Sequence, residues 1–414
     1  MDVAAPKILP LSAADAPAVE DLLQWAFGFT VVDAGEWSPF DSISWERTFG
    51  AWLDDPWRLA GVNTTHSFDV PVPGATLPAA GVSWVGVHPR DRRRGVATAM
   101  LRHHLHEVHD RGVEPLSLLF ASEAGIYGRY GYGMAATELQ LALGRGVGLR
   151  DVAGTEGLTV SFERADAERH AELLYECYTV ARVGRPGWVD RPTTGLRREV
   201  LADPRWRHRL GGEVLRLLTV AGEGGRIRGY ALFRRWSGGP NAGTVEVVEA
   251  VAVDLAAYRV LWGRLVDLDL TSRITTPRLA TDDPLLHLLL DVPAAEPKLG
   301  HNLWCRVVDV PAALAGRRYA APVEAVLDVT DPMCPWNQGR WRLVGGPDGA
   351  SCESTDDAPQ LRLDVRELGA VYLGGQALHA LAGAGLVEVG DEGALAGIST
   401  AFGWPRAPLC PAVF

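Results

Sequence analysis

A chain of 414 residues is too long for one ordinary hydrophobic core and predicts two or three domains, and a hydrophobic content of 47% is ample to fill them. A formal charge of -11 argues against general nucleic-acid binding and suits the attraction of cationic substrates. Five scattered cysteines, Cys177, Cys305, Cys334, Cys352 and Cys410, form no Cys-x-x-Cys pair, which excludes a cysteine-based zinc signature and fits a reducing, cytoplasmic setting.

The opening segment Met1-Asp2-Val3-Ala4-Ala5-Pro6 carries neither a positive segment nor an apolar core, so no secretory signal is expected, and no apolar run is long enough to span a bilayer. A valine-rich strand follows from Gly81 to Val87. It runs through the turn His88-Pro89-Arg90-Asp91-Arg92-Arg93-Arg94-Gly95 into a helix from Val96, on which Met100, Leu101, Leu105 and Val108 recur at near-helical spacing. Such a junction suits a phosphorylated ligand. The helix N-terminus offers unpaired amides and its dipole, Gly95 allows close backbone approach, and arginine adds charge-assisted hydrogen bonds. On the same helix His103, His104, His106 and His109 have spacing that could juxtapose metal ligands, but a solvated helix face is the expectation. A second strand, Leu116 to Phe120, leads into Ala121-Ser122-Glu123-Ala124-Gly125-Ile126-Tyr127-Gly128-Arg129-Tyr130-Gly131-Tyr132-Gly133, so two strands end near one site.

A strand from Glu138 to Ala142 and the glycine-rich Gly144-Arg145-Gly146-Val147-Gly148 close the first unit. The second begins at Leu158-Thr159-Val160, continues in a helix from Ala167 to Val180, and then repeats a strand-strand-helix order through Gly229 to Arg234, Thr244 to Val253 and Ala256 to Asp267. At its corresponding turn, Asp254-Leu255-Ala256-Ala257-Tyr258, it has no glycine and an acid in place of arginines, so it is not expected to hold a pyrophosphate. From Leu303 a third pattern sets in. A helix through Ala315 precedes strands around 323–329, 341–344 and 361–365, then helices around 366–372, 377–382 and 394–402, with Gly374 and Gly375 closing the first of these. The expected fold class is α+β with sandwich-type layers, in three domains at 1–150, 151–297 and 298–414.

The pattern Arg92-x-x-Gly95-x-Ala97, followed by a strand and the turn Tyr127-x-x-Tyr130-Gly131-Tyr132, resembles the GNAT superfamily of N-acetyltransferases. Together with Trp84-Val85-Gly86-Val87 and the block from Ala121 to Gly133, it is similar to the enhanced intracellular survival (Eis) acetyltransferases over nearly the whole chain. The resemblance implies tandem GNAT domains, the second degenerate, ahead of a sterol-carrier-like domain. It also implies acetyl-CoA as cosubstrate without a metal, small polycationic amines such as aminoglycosides as acceptors, and a homohexamer.

Acetyl transfer from a thioester to an amine needs a polarised carbonyl, a neutral amine and a proton for the departing thiolate. By resemblance, free amides of a bulged strand at Val85, Gly86 and Val87 serve the first need, with Gly86 allowing irregular backbone. Arg93, Arg94, Gly95, Val96, Ala97 and Thr98 then hold the pyrophosphate. Ser122 and Glu123 contact the cofactor, helix capping being the alternative. A tyrosine is acidic enough to protonate a thiolate. Of the three tyrosines Tyr127 corresponds to the general acid, and Tyr130 and Tyr132 are expected in the core. Spacing fixes no base; the resemblance assigns that role to the carboxylate of the last residue, here Phe414, on a tail stiffened by Pro405, Pro408 and Pro411. A frayed terminus is the alternative. Glu36 and Trp37 fall in the loop implied to bind the substrate. The apolar Trp25-Ala26-Phe27-Gly28-Phe29-Thr30 and the neutral Val413 depart from acids that the resemblance implies there. Two other functions fit the sequence: acetylation of protein lysine or N-terminal amines, and non-enzymatic binding of lipid or a partner.

Overall fold

Two long strands with near-continuous buried runs form the centre of the first sheet, because helices cover both of its faces. The computed structural model describes residues 5–28, 39–54, 57–204, 208, 211–238 and 242–414. Strands β1 (Lys7–Pro10), β2 (Thr48–Asp54), β3 (Trp57–Val72), β4 (Ala75–Val87), β5 (Leu116–Phe120) and β6 (Gly133–Met134) lie in chain order, with the strand Leu303–Val307 inserted between β5 and β6. Every pairing is antiparallel except that of β4 with β5. Helix α1 (Ala16–Phe27) packs Val19, Leu22 and Leu23 around Val62 on one face. Helix α2 (Val96–Arg111) covers the other, placing Met100 against Ala60, and Leu101, Leu105 and Val108 against Ala80 and Val82.

The second sheet runs in the order 142–144, 271–275, 243–252, 227–236, 216–221 and 159–164. Helix Ala167–Ala181 covers one face through Leu174 and Tyr178, and helix Leu255–Val266 the other through Leu261, Trp262 and Leu265. Each of these two sheets thus contains a strand that the chain order would give to another unit. Strand Ala142–Gly144 pairs with Thr271–Thr275, and Leu303–Val307 fills the gap between β5 and β6. These pairings interlock the units.

The last unit is a five-stranded sheet, in the order 350–354, 339–345, 323–330, 361–364 and 387–389, with helices at 310–316, 365–371, 378–383 and 392–402. Helix Val365–Val371 sits almost backbone to backbone on the first sheet: a Cβ on Gly133 would lie 2.0 Å from the Arg366 carbonyl oxygen, and one on Gly369 2.2 Å from that of Cys305. From Phe402 the tail crosses back over the molecule. The Asn302 side chain bonds the Cys410 backbone in both directions, at 2.9 and 2.8 Å, and the Leu409 amide donates to the Pro186 carbonyl at 2.9 Å. No described helix is long and apolar enough to cross a membrane.

Candidate active site

The site begins where two parallel strands part. β4 pairs with β5 only from Ala79 to Gly81, opposite Leu116 to Leu118, although β4 runs on to Val87 and β5 to Phe120. From Val82 to Val87 the β5-facing edge of β4 therefore has no strand partner among the described residues. That edge can bind an extended ligand through backbone hydrogen bonds. A bulge accompanies the parting: Thr64 pairs with Ser83 but Val62 with Gly86, so β4 carries one extra residue, and Trp84 takes a φ of 51°. The expectation that Gly86 supplies the irregular backbone is corrected here. Gly86 is back in register, and it lacks a side chain because a Cβ would lie 2.8 Å from Leu23 of α1. Val85 and Val87 turn their side chains toward the α2 face, which leaves their backbone to line the cleft.

Beyond Val87 the chain curls around one buried acid. Asp91 is fully buried and accepts from Arg58 at 2.5 Å, from Arg94 at 3.0 Å and from Arg90 at 3.3 Å. Burial alone would raise its carboxyl, but the Arg58 and Arg90 guanidiniums outweigh it and hold it below the ordinary range. Arg94 is thus engaged in shaping the loop. Arg92 and Arg93 are exposed, their side chains have no ion pair or hydrogen bond among the described residues, and they remain available to an anion. Left-handed backbone at Arg93 (φ 62°) and Gly95 (φ 78°) curves the loop into the start of α2, and no side chain caps that helix, so the amides of Val96, Ala97 and Thr98 stay open.

The second half of the site follows β5. Ser122 and Glu123 are exposed at the start of a short helix, α3 (Ala124–Tyr127); Glu123 occupies its N-cap position without a side-chain capping bond, so capping does not account for it. Tyr127 is nearly buried, packs with Ala80 and Val82 on the α2 face, and its hydroxyl has no hydrogen-bond partner among the described residues. Burial, with smaller contributions from Tyr130 and Glu123, pushes its phenol up to about 12, so it stays protonated at neutral pH. Tyr130 and Tyr132 are core residues, and their hydroxyls are engaged by Thr98 at 3.3 Å and Ser117 at 2.8 Å.

Phe414 enters from the opposite face of the sheet. Its ring lies 4.8 Å from Phe68 and 5.5 Å from Phe120, and a Cβ on Gly81 would lie 2.9 Å from it. The tail is therefore docked at the point where β4 leaves β5. Glu36 and Trp37 lie outside the described residues.

The histidines of α2 do not form a solvated face. His104 is buried between Thr65 at 3.1 Å and Ser117 at 2.8 Å, His103 lies 4.5 Å from the Phe49 ring, and His106 and His109 lie against Trp336, the latter stacked at 3.9 Å. A polar helix face beside another unit looks solvated in sequence, and only packing shows what covers it. Among the described residues no group of three or more potential ligands is placed to hold a metal. His66 is a buried residue that spacing did not reveal: a lone histidine within a run of polar and apolar residues on β3, its ring 5.7 Å from Phe68.

The second unit has the same parting of strands, since Gly243–Ala252 pairs with Thr271–Thr275 only as far as Glu246. Its helix start is closed, however. Asp254 caps it by accepting from the Ala257 amide at 2.9 Å and is itself held by Arg228 at 2.8 Å. The third of the amides that α2 leaves open is here satisfied from within.

Acetyltransferase (GNAT) domain families match residues 7–135 and 187–307, and a sterol carrier protein domain family matches 310–411. The fold and the cleft define a GNAT-class N-acetyltransferase that uses acetyl-CoA, built from tandem GNAT domains and a sterol-carrier-like domain. An uncharacterized N-acetyltransferase of Streptomyces coelicolor is 42% identical over 93% of this chain and 94% of its own length. The N-acetyltransferase Eis of Mycobacterium tuberculosis is 35% identical over 83% of each chain. Among solved structures, Eis1 from Mycobacterium abscessus superposes with a TM-score of 0.83 at 29% identity, covering 99% of this chain and 100% of that one. The chain belongs to the Eis family of N-acetyltransferases.

Proposed function

We propose that this enzyme acetylates primary amines of small polycationic molecules, aminoglycosides being the type, by direct transfer within a ternary complex. The observation that carries this reading is the parting of β4 from β5, flanked by Tyr127 on one face and the docked Phe414 on the other. Val85, Gly86 and Val87 would pair with the pantetheine arm, Arg93 through Thr98 with the pyrophosphate, and Ser122 and Glu123 with the remainder of the cofactor. The Phe414 carboxylate takes one proton from the substrate ammonium. The amine lone pair then forms the C–N bond, the C–S bond breaks, Tyr127 protonates the leaving thiolate, and the second amine proton returns to Tyr127. Glu36 and Trp37 would bind the acceptor. The unit 1–150 acts as the catalytic domain, 151–297 as its non-binding copy and 298–414 as the unit that carries the tail, in a cytoplasmic homohexamer.

The test is release of CoA from acetyl-CoA with an aminoglycoside, a linear polyamine and a lysine peptide, with product masses. Multiply acetylated aminoglycoside supports the proposal, and turnover of the peptide alone would overturn the substrate assignment. Tyr127→Phe is expected to lower kcat about a hundredfold or more while acetyl-CoA affinity holds, whereas Tyr132→Phe should leave kcat near wild type.

A further inference from the structure

Two buried histidines, His66 on β3 and His104 on α2, are treated oppositely by the fold. His104 is 2% exposed and both of its ring nitrogens are bonded, to Thr65 and to Ser117. His66 is 4% exposed, yet neither of its nitrogens has a hydrogen-bond partner among the described residues. Neither nitrogen is among the fully buried unpartnered atoms, so what remains exposed of this nearly buried ring includes its nitrogens, which the fold leaves free to meet a ligand.

The location of His66 says which ligand. Thr65 contacts α2, so His66 points to the other face, where Phe68 and Phe414 lie. Its register partner across the sheet is Gly81, the last residue of β4 that is still paired with β5. His66 therefore stands at the apex of the parting, on the face from which Phe414 enters. Burial first, and then Arg47, push its imidazole down to about 4 against a weaker opposing effect of Glu46, which leaves it neutral at pH 7 with one lone pair to offer. Neither charged neighbour competes for the cleft. Arg47 is held by Glu114 at 2.5 Å and Glu46 by the Ser44 hydroxyl at 2.7 Å.

We propose that His66 accepts a hydrogen bond from the amine of the acceptor substrate and so aims the amine lone pair at the thioester. The acceptor amine must be neutral to attack, and a neutral imidazole favours it without adding charge to a site that already faces a carboxylate at Phe414. This assignment rests on the acetyl-transfer reading and names a substrate contact within it.

The experiment compares wild type, His66→Gln and His66→Leu with the same three amines, measuring kcat/KM for the amine, acetyl-CoA affinity by titration, and the melting temperature. His66→Leu is expected to lose about tenfold or more in kcat/KM for the amine, with acetyl-CoA affinity and melting temperature held, and His66→Gln, which keeps an acceptor, to stay within about threefold of wild type. A folded His66→Leu enzyme with wild-type kcat/KM overturns the assignment while acetyl transfer stands. Equal losses in Gln and Leu also overturn it, because packing rather than hydrogen bonding would then be the role. Wild-type protein that acetylates none of the amines overturns the proposed function and this contact with it.

Discussion

Arg306, on the strand that the first sheet receives from beyond the second unit, forms a fully buried ion pair with Asp331 of the third unit, its Nη2 lying 2.7 Å from both carboxylate oxygens. The same guanidinium donates through Nε to the Tyr130 carbonyl at 3.0 Å, three residues after Tyr127. Asp331 also accepts from Asn337 and from the Met333 and Cys334 amides, and the loop it organises carries Trp336, on which His106 and His109 of α2 rest. One loop of the third unit thus holds both the turn of the proposed acid and the helix whose N-terminus is proposed to bind the cofactor. Removing a single partner strands a charge in the core, so Asp331→Ala should destabilise the protein by about 3–5 kcal/mol. Urea denaturation checks this, and a loss below about 1 kcal/mol would mean that the loop relaxes enough to hydrate Arg306.

Much of this architecture was legible in the sequence because it is local. An apolar run and helical spacing predicted Leu116–Phe120 and α2, and the basic turn ending at Gly95 marked the helix start that no side chain caps. What stayed hidden depends on long-range pairing. Leu303–Val307 reads as an apolar strand wherever it goes, and nothing within its five residues says that it will part β5 from β6. The pairing of Asp91 with Arg58, and the empty nitrogens of His66, are likewise products of the fold. Asp254 lies between these cases: an acid in place of the arginines is visible in the sequence, and the structure shows that it caps the helix.

Gly81 should be intolerant of a side chain. A Cβ there would lie 2.3 Å from Phe68 and 2.9 Å from Phe414, on rings that are packed against each other, whereas Gly125 has nothing within 4 Å. Gly81→Ala is expected to cost about 1–3 kcal/mol by overpacking and to lower turnover toward the level of a variant lacking Phe414. Gly125→Ala serves as the control with little change in either. Steady-state kinetics with thermal melts decide the matter, and normal turnover in Gly81→Ala would mean that the position of Phe414 is unimportant.

Asp254→Ala tests the closed copy. Loss of the cap should cost about 1 kcal/mol, since the Ala257 amide loses its acceptor. Uncapping the helix restores neither the arginines nor the glycine of the first unit. Calorimetric titration is therefore expected to saturate at one acetyl-CoA per chain in both proteins, and two sites in the variant would show that Asp254 alone blocks the second.

Stability should fall on mild acidification, and His104 should carry part of the fall. Burial, with Arg47 and His103 adding, pushes its folded pKa from the ordinary 6.5 down to about 3. Between those values the unfolded chain binds a proton that the folded protein refuses, so stability rises with pH through this window and is lost as pH drops below 6.5. At pH 5.5 the unfavourable contribution of His104 relative to neutral pH is about 1.4 kcal/mol. His66, pushed down to about 4, acts in the same direction. His104→Asn will be less stable at pH 7.5, since Thr65 and Ser117 lose the imidazole, but its loss between pH 7.5 and 5.5 should be smaller than that of wild type by about that amount. Urea denaturation of both proteins at the two pH values measures this difference directly. Carboxylates that titrate in the same range are common to both proteins and cancel, so equal losses would mean that His104 takes up its proton in the folded state.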